Sequence, residues 1–396
     1  MDMNVTTNDY MRSINDLFRE VEDCVFLTLF EATLLSAKRI AQDKLDRALF
    51  EALDWPERWG DYQDYLRAFV RWAPDQTDNP AWKDPKTGSA QEVYDRLCHF
   101  YWLINQPFVL NGKETTWQEE FPAYYTKISN DWGAFLNTED SWSKEQLENF
   151  TNNSPQYRVQ DYKNPESWKS FNEFFSREIK DGLRPVHEPD NNLAPTFPAD
   201  CTFRKSFPIS TTGTIPGITI KNTHRFATIR ELLHCHDNHD YADRFNSGLF
   251  AHYFLSPFSY HRFHIPVSGR IVDVRKVHGQ AYLDVTLQNG QFDAPDNAQG
   301  GYEFTQARGV ITIDTSGSAH GDIGYVTVIP IGMAQCSSVH MYESLYHQDC
   351  KKGDEFGFFQ FGGSDIIILF EEKAKAVLQS TGDKYNHYGQ MIAKCS

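Results

Sequence analysis

The sequence has little positive charge and no apolar run long enough to span a bilayer. Lys and Arg total 38 against 54 Asp and Glu, which gives a formal net charge of −16. That balance argues against sequence-independent nucleic-acid binding and against adsorption to anionic lipid, since both require a basic surface. The longest apolar run, Val25–Ala37, is interrupted by Glu31 and is shorter than the about 20 residues that cross a membrane. We therefore expect a buried helix here and no stable membrane anchor.

The cysteines are few and irregularly spaced. There are seven, an odd number, and no CxxC pair. This pattern argues against a disulfide framework or a structural zinc site and favours a reducing compartment. The first residues show no charged segment followed by an apolar stretch, as a secretory signal has. The sequence therefore predicts a cytoplasmic protein.

The chain divides by composition into two halves. All nine tryptophans lie between Trp55 and Trp168, whereas 13 of the 14 histidines lie at or after His187. Apolar residues at helical spacing predict a helical, tryptophan-rich domain over residues 1–160, with its tryptophans packed between helices. Residues 165–396 are predicted to form a β-rich sandwich or barrel-like domain, so the fold class is α+β. The predicted strands are Arg270–Val277, Tyr282–Leu287, Gly309–Ile313, Tyr325–Ile331 and Ile366–Phe370.

Two capping boxes predict helix starts inside the second half. Ser170 is followed three residues later by Glu173, and Thr228 by Glu231. The first helix is expected to present an apolar face that extends to Ile179.

Three short segments hold residue types that move protons or attack carbonyls. His261 and His264 lie three residues apart before Pro266, on one helical turn or around a turn, and imidazole titrates near neutrality. Ser364 follows two glycines, where strain at the preceding peptide bond would favour attack by its own hydroxyl. Asp200, in a Pro-Ala-Asp turn, could orient an imidazole. These residues alone leave open a serine hydrolase, a self-processing enzyme or purely structural roles.

A dense run of metal-ligand residue types lies at His234–Asp240. Its spacing matches no regular zinc pattern, so a solvated loop is favoured and no metal is predicted. Metal binding remains an alternative, which would be supported by stoichiometric metal that is lost when His236 and His239 are replaced.

Four blocks in the second half resemble, in order and spacing, the signatures of the phosphatidylserine decarboxylase family. Residues 171–185 are similar to its FxxFFxRxxK…RP pattern, and residues 198–200 to its PAD turn. Residues 255–269 are similar to LxPxDYHRxHxPxxG, and residues 352–364 to KGxExGxFxxGS. The resemblance covers about residues 165–375 and implies a decarboxylase catalytic domain.

This resemblance implies that the enzyme makes its own cofactor, a pyruvoyl group, by cleavage between Gly363 and Ser364. Ser364 would attack the carbonyl of Gly363, leaving a β chain that ends at Gly363 and an α chain that begins with the pyruvoyl group. His264 is implied as the base for this step, Asp200 as the residue that orients His264, and His261 as a group for substrate holding or proton transfer. The pyruvoyl ketone would form a Schiff base with the substrate amine, so no pyridoxal phosphate is required. A homodimer of such processed chains is compatible with the resemblance.

Three departures from the family pattern bear on maturation and substrate, and one is Phe258-Ser259, where many members have an Asp before the Tyr-His. Asp365 stands where the family usually has a small hydroxylated residue, and Gly-Gly-Ser replaces Leu-Gly-Ser, as in the family's soluble branch. With the helical N-terminal domain and no apolar anchor, this predicts a free, small-molecule L-amino acid as substrate, best an aromatic one such as tryptophan. The alternative is a phosphatidylserine decarboxylase. A serine hydrolase using Ser364, His264 and Asp200, and a non-catalytic binding relative, are the remaining hypotheses.

Overall fold

The computed structural model describes residues 16–17, 19, 26–220, 223–235, 241–279, 283–294, 306–333 and 339–396. The chain divides into two compact units. The first comprises Met1–Gln160, Asn164–Phe174 and Ala281–Pro295, and the second Asp161–Lys163, Phe175–Gln280 and Asp296–Ser396. Helices dominate the described part of the first unit and antiparallel strands that of the second, so the predicted α+β class is confirmed.

The first unit is built mainly of helices. The apolar run predicted as a buried helix lies largely within the first of them, which buries Phe30, Leu34, Ala37 and Ala41 on one face. None of the helices in the described part of the chain has the length and apolarity needed to cross a bilayer. The elements are α1 (Phe26–Lys44), α2 (Arg47–Glu51), α3 (Trp59–Phe69), α4 (Glu92–Ile104), β1 (Phe108–Leu110), β2 (Lys113–Thr115), α5 (Trp117–Glu120), α6 (Pro122–Phe135), α7 (Lys144–Asn153) and α8 (Phe171–Phe175).

Tryptophans fill the core of this unit, as the sequence predicts. Trp117 and Trp132 are fully buried. Their indole N–H groups donate to Thr33 Oγ1 at 2.7 Å and to the carbonyl of Trp72 at 2.8 Å. A buried indole needs such an acceptor, because an unpaired polar group in the core costs free energy.

The helix that begins after Ser170 is shorter than the sequence predicts. Ser170 Oγ accepts a hydrogen bond from the Glu173 amide at 3.2 Å, as an N-cap does. However, α8 ends at Phe175. Ile179 instead pairs with Tyr162 in an antiparallel β-bridge, so it does not extend the helical face.

The second unit is built mainly of strands. The capping box of Thr228 and Glu231 is present and begins helix α9 (Ile229–Leu233). Four of the five predicted strands are confirmed. Of the remaining one, Tyr282–Leu287, only the end is confirmed, because β9 begins at Thr286 and Tyr282 lies outside the described residues. The strands are β3 (Cys201–Pro208), β4 (Thr214–Ile220), β5 (Thr223–Thr228), β6 (Leu249–Leu255), β7 (Arg262–His264), β8 (Gly269–Val277), β9 (Thr286–Gln288), β10 (Gln291–Asp293), β11 (Arg308–Asp314), β12 (Tyr325–Met333), β13 (Val339–Met341), β14 (Asp349–Cys350), β15 (Glu355–Phe359), β16 (Gly363–Phe370), β17 (Val377–Leu378), β18 (Tyr385–Asn386) and β19 (Ala393–Lys394).

An eight-stranded antiparallel sheet forms the centre of the second unit. Its order is β14-β8-β11-β12-β16-β6-β3-β18, and a separate sheet has the order β13-β15-β7. The described strands β14 and β18 are its two edges, so the large sheet is open and is not a closed barrel. The strand that begins with Gly363 lies near its middle, paired with β12 on one side and β6 on the other.

One face of this sheet packs against α9. Ile367 and Leu369 of β16 and Phe250 of β6 share a buried cluster with Leu232 and Leu233 of the helix. Burial of each such side chain contributes about 1.5–3 kcal/mol. This packing fixes β16 in place just beyond Ser364.

A short hairpin from the second half belongs to the first unit. The segment Ala281–Pro295 holds β9 and β10, and its Phe292 ring lies 6.3 Å from that of His99. The Asp46 amide donates to the carbonyl of Gly290 at 2.8 Å. The sequence division into residues 1–160 and 165–396 does not include this hairpin, because a strand's pattern does not reveal which unit it joins.

Candidate active site

Ser364 lies at the second residue of the central strand β16. It pairs with Gly332 of β12 and with Leu255 of β6, and it is fully buried. Its hydroxyl has no hydrogen-bond partner among the described residues. Leaving a buried hydroxyl unpaired costs about 1–3 kcal/mol, so packing alone does not account for it.

A tight turn that contains Gly362 lies just before Ser364 and leads into strand β16. The chain leaves β15 at Phe359 and enters β16 at Gly363, with Gly362 between them at a φ of 152°. Residues with a Cβ rarely adopt this conformation. Gly362 therefore has a local structural reason.

His261 is a buried imidazole beside this turn. Its ring stacks on Phe175 at 3.9 Å, and Phe175 in turn contacts Phe361 edge-on at 5.2 Å. Neither ring nitrogen of His261 makes a hydrogen bond of normal geometry to a described residue. Burial, with a smaller contribution from Arg177, lowers the pKa of His261 well below its usual value, although the Ser259 backbone is close enough to raise this pKa slightly. The ring is therefore neutral at physiological pH.

His264 is also buried, but both of its ring nitrogens are engaged. Nδ1 lies 2.9 Å from the carbonyl of Gly353, and Nε2 lies 3.0 Å from the hydroxyl of Tyr260. A carbonyl can only accept, so we assign the proton to Nδ1, and Nε2 accepts from Tyr260. Tyr388 stacks on the ring at 3.8 Å, and burial lowers the pKa of His264.

Asp200 is bonded to other partners than the one predicted. Arg184 forms a bidentate salt bridge with the carboxylate, with Nη2 2.7 Å from Oδ2 and Nε 3.1 Å from Oδ1. His387 Nδ1 lies 3.1 Å from Oδ2, and the Tyr388 amide donates to Oδ1 at 2.8 Å. The prediction that Asp200 orients His264 does not match this arrangement, because these groups occupy the carboxylate and His264 has its own partners.

Burial would raise the pKa of Asp200, but the hydrogen bonds from His387 and Arg184 outweigh it and hold this pKa below its ordinary value. Asp200→Asn is therefore expected to lower the free energy of unfolding by about 3 kcal/mol at pH 7, because it leaves the Arg184 guanidinium buried without its counter-charge. The stabilisation is complete above the unfolded pKa of about 4 and is lost as the pH falls through the folded pKa. Denaturant unfolding measured at pH 7 and below pH ~4 tests both statements.

The matched control is Asp383→Asn, which alters an exposed carboxylate in the same C-terminal segment. It should change stability by less than about 0.5 kcal/mol. An Asp200→Asn variant as stable as this control would contradict the importance of the Arg184 pair.

The strand register shows which of the predicted residues come together. Thr202 of β3 and Asp365 of β16 both pair with Phe254 of β6, so Asp200 and Ser364 lie at the same end of the sheet. Two strand spacings separate their backbones by about 10 Å.

The two histidines lie at opposite ends of β15. The Phe359 amide donates to the carbonyl of His261 at 2.8 Å, whereas His264 pairs with Glu355. The two histidines are three positions apart, which is about 10 Å along a strand. His261, rather than His264, is therefore at the end of β15 that leads to Ser364.

Charged residues of the four sequence blocks hold the surrounding loops together. Arg177 donates to the carbonyls of Phe258 at 2.8 Å and Ser259 at 3.1 Å. Arg262 pairs with Glu355 at 2.6 Å. These contacts join blocks that are far apart in sequence, which accounts for charged residues in a mostly buried region.

Lys352 holds a second loop. Its ammonium donates to the carbonyls of Glu188 at 2.8 Å and Ala194 at 2.9 Å, among four carbonyl acceptors in all. Burial lowers the pKa of Lys352 to about 8, so most of it remains charged at pH 7. The next residue, Gly353, has a φ of 94°, which lets its carbonyl face His264.

Asp365, the residue that departs from the family pattern, has a buried partner. His252 Nε2 lies 2.8 Å from Asp365 Oδ2, and both side chains are essentially inaccessible. Side chains alternate along a strand, so Asp365 faces the side of the sheet opposite to Ser364. The sequence singles out Asp365 but gives no signal for His252.

Other site residues escaped the sequence analysis for the same reason. His387 and Tyr388 belong to none of the family blocks, whereas Phe175 and Tyr260 lie within them without a predicted role. All four meet the predicted residues only through the fold. The one local signal was the repeated aromatic and histidine content of the C-terminal segment.

The possible metal run lies largely outside the described residues, since 236–240 are not described. Within the part of the chain that the structure describes, no group of three or more His, Cys, Asp or Glu residues is placed to hold a metal ion.

Comparison with known proteins gives a consistent result. The family model of phosphatidylserine decarboxylase matches residues 171–394, more than half of the chain. Phosphatidylserine decarboxylase proenzyme 2 of Komagataella phaffii is 31% identical over 210 residues, which are 52% of this chain and 19% of that protein. The phosphatidylserine decarboxylase proenzyme of Fusobacterium nucleatum is 30% identical over 250 residues, 61% of this chain and 74% of that protein.

A further relative carries a different name. Decarboxylase iboD of Amanita muscaria is 26% identical over 292 residues, 64% of this chain and 78% of that protein. This chain thus spans most of the bacterial and Amanita relatives but only about a fifth of the Komagataella protein. The chain belongs to the phosphatidylserine decarboxylase family, and the four sequence blocks identified above lie within or beside the matched region.

Proposed function

We propose that this chain is a pyruvoyl-dependent decarboxylase of a free L-amino acid, which matures by cleaving itself between Gly363 and Ser364. The observation that carries the proposal is Ser364 itself. Its hydroxyl is buried and unpartnered among the described residues, directly after two glycines and at the start of a strand. Named relatives of the same family are decarboxylases, and several are called proenzymes.

The cleavage can be written with the chain's own atoms. The Ser364 hydroxyl oxygen attacks the carbonyl carbon of Gly363, and the peptide C–N bond breaks to give an ester and a free amine on Ser364. Loss of the Ser364 α-proton and cleavage of the Cβ–O bond then release the Gly363 carboxylate and leave a dehydroalanine. Hydrolysis of that residue consumes one water and releases one ammonia. In the net reaction, one water is consumed, one ammonia is released and two chains are formed.

The site fits a group formed in this way. Every residue of β16 pairs with a residue of β12, and residues 364–370 also pair with β6. The new chain end would therefore be held by sheet pairing after the peptide bond is lost. Once present, the pyruvoyl group supplies an electron sink for the carbanion that loss of CO2 leaves at the substrate Cα.

We assign proton transfer at the substrate to His261. It is neutral, fully buried and has both ring nitrogens without a hydrogen-bond partner among the described residues, so one can hold a proton without first breaking a bond. His264 remains our candidate base for the cleavage. To act, its Nε2 must release the Tyr260 hydroxyl that it accepts in this structure.

A serine hydrolase is less well supported by the geometry. Such an enzyme needs a serine bonded to a histidine that is itself held by a carboxylate. In the described residues, Ser364 bonds no histidine, and His264 does not bond Asp200.

A free amino acid is favoured over phosphatidylserine by two observations. The match to decarboxylase iboD, whose name does not mention a phospholipid, extends over 64% of this chain, against 61% and 52% for the two phosphatidylserine decarboxylase proenzymes named above. The net charge of −16 opposes approach to a membrane that contains anionic phosphatidylserine. Neither observation selects the side chain, so tryptophan stays the first substrate to test.

Release of CO2 from a substrate panel tests this choice. The purified, processed enzyme is incubated with L-tryptophan, L-tyrosine, other free L-amino acids, and vesicles of phosphatidylserine in phosphatidylcholine. We expect turnover of at least one free amino acid and vesicle turnover at least about tenfold lower, a difference of 1.4 kcal/mol in activation free energy. Turnover of vesicles alone would show that this chain is a phosphatidylserine decarboxylase.

A further inference from the structure

The first unit contains a cavity that the proposed chemistry does not use. It has a volume of about 220 Å³ and is lined only by residues of this unit, from Leu53 to His99. Small-molecule sites are typically concave and mostly apolar, with a few placed polar groups. This cavity has that composition.

Its walls are aromatic because of helical spacing. Tyr65 and Phe69 lie four residues apart on α3, so their rings fall on one side of the helix, and Trp72, just beyond the end of α3, also lines the cavity. The Tyr65 and Phe69 rings are stacked at 6.2 Å, and Phe69 lies 6.1 Å from Trp72. Such a surface accepts a flat apolar ring by stacking or edge contact.

The positive charge at the cavity belongs to Arg96, whose side chain is fixed by its neighbours. Arg96 of α4 donates from Nε to Glu92 at 2.8 Å, and its guanidinium carbon lies 4.9 Å from the centre of the Trp82 ring. These contacts fix the plane of the guanidinium. Its two terminal nitrogens have no hydrogen-bond partner among the described residues, and the side chain is 34% exposed. They present the paired donors that a carboxylate binds best.

The opposite charge is supplied by Asp54. It is exposed and makes no hydrogen bond or ion pair with a described residue. The charges of Arg96 and Asp54 both act on the pKa of Tyr65, which burial raises well above its usual value. Burial also lowers the pKa of His99 to about 3, so that ring is neutral. His99 Nδ1 lies 3.2 Å from the Tyr65 hydroxyl, which fixes that side of the cavity.

We propose that this cavity is a second binding site for an aromatic α-amino acid, separate from Ser364. Arg96 binds the ligand carboxylate, Asp54 binds its ammonium group, and Tyr65, Phe69 and Trp72 surround its ring. The site does not depend on cleavage or on a pyruvoyl group, because none of its residues comes from the second unit. It gives the tryptophan-rich unit a ligand-binding role.

Calorimetric titration of the full-length Ser364→Ala chain with L-tryptophan tests this proposal. Ser364→Ala prevents consumption of the ligand, so the outcome does not depend on the decarboxylase activity. We expect binding that Arg96→Gln weakens at least about tenfold, as loss of a charge-assisted bidentate contact implies. Asp54→Asn should weaken the binding of L-tryptophan at least about fivefold. It should leave the binding of indole-3-propionate, which lacks the ammonium group, unchanged.

The matched control is Arg71→Gln, an exposed arginine beside Trp72 that does not line the cavity. It should bind L-tryptophan as the parent chain does. An absence of binding up to millimolar ligand overturns the proposal, and so does an isotherm that Arg96→Gln and Asp54→Asn both leave unchanged. Asp54 has no structural partner, so its variant stays informative even if Arg96→Gln unfolds.

Discussion

Ser364→Ala is expected to give a single uncut chain with no measurable decarboxylation. The variant lacks the oxygen that attacks Gly363 and therefore cannot form the group that accepts electrons from the substrate. The rate should fall by at least about 10⁶-fold, the lower range of enzymatic acceleration. The uncut variant should remain folded, because the substitution removes a buried hydroxyl that has no hydrogen-bond partner in the described structure. A denaturing gel, a CO2 assay and denaturant unfolding measure the three effects.

Ser316→Ala is the matched control, since Ser316 is an exposed serine of the same unit. It should be cleaved and active like the parent chain. Decarboxylation by an uncut Ser364→Ala chain would remove Ser364 from the chemistry altogether.

His261→Leu is expected to separate activity from stability. A leucine keeps the apolar contact with Phe175 and removes two ring nitrogens that have no hydrogen-bond partner among the described residues. The free energy of unfolding should therefore stay the same or rise by about 1 kcal/mol. Decarboxylation per cleaved chain should fall by about 10²–10⁴-fold, the usual contribution of a positioned acid or base.

The cleaved fraction of His261→Leu is first measured by mass, so that activity is expressed per mature chain. Failure of cleavage would show that His261 is needed for maturation, which would contradict its assignment to the substrate step alone. His320→Leu, at a partly exposed histidine of the same unit, is the control and should be unaffected in both steps. A His261→Leu enzyme within about threefold of the parent rate would contradict our assignment.

The sequence predicted best those parts of the fold whose signal is local. Strands β8, β11, β12 and β16 are runs of Val and Ile between turn residues, and the capping box at Thr228 involves contacts only three residues apart. The helix after Ser170 was predicted too long, because Phe175 and Ile179 share helical spacing while the β-bridge of Ile179 with Tyr162 is non-local.

In the candidate site, too, local features were predicted from the sequence and long-range contacts were not. Motif spacing identified Ser364, His261, His264 and Asp200 as residues of interest, and the structure places all four in one unit. Their partners could not be predicted, because hydrogen bonds across a sheet depend on register. Asp200 is held by Arg184 and residues of the C-terminal segment rather than by His264. A sequence motif names such a residue but not the atoms that it faces.

The most direct test of self-cleavage is an intact mass of the purified wild-type protein under denaturing conditions. We predict two chains, residues 1–363 and residues 364–396, with the second lighter by one ammonia than simple hydrolysis would give. That mass would show both the position of the break and the conversion of Ser364. A single chain of 45.7 kDa, or a second fragment with an intact N-terminal serine, would contradict the account.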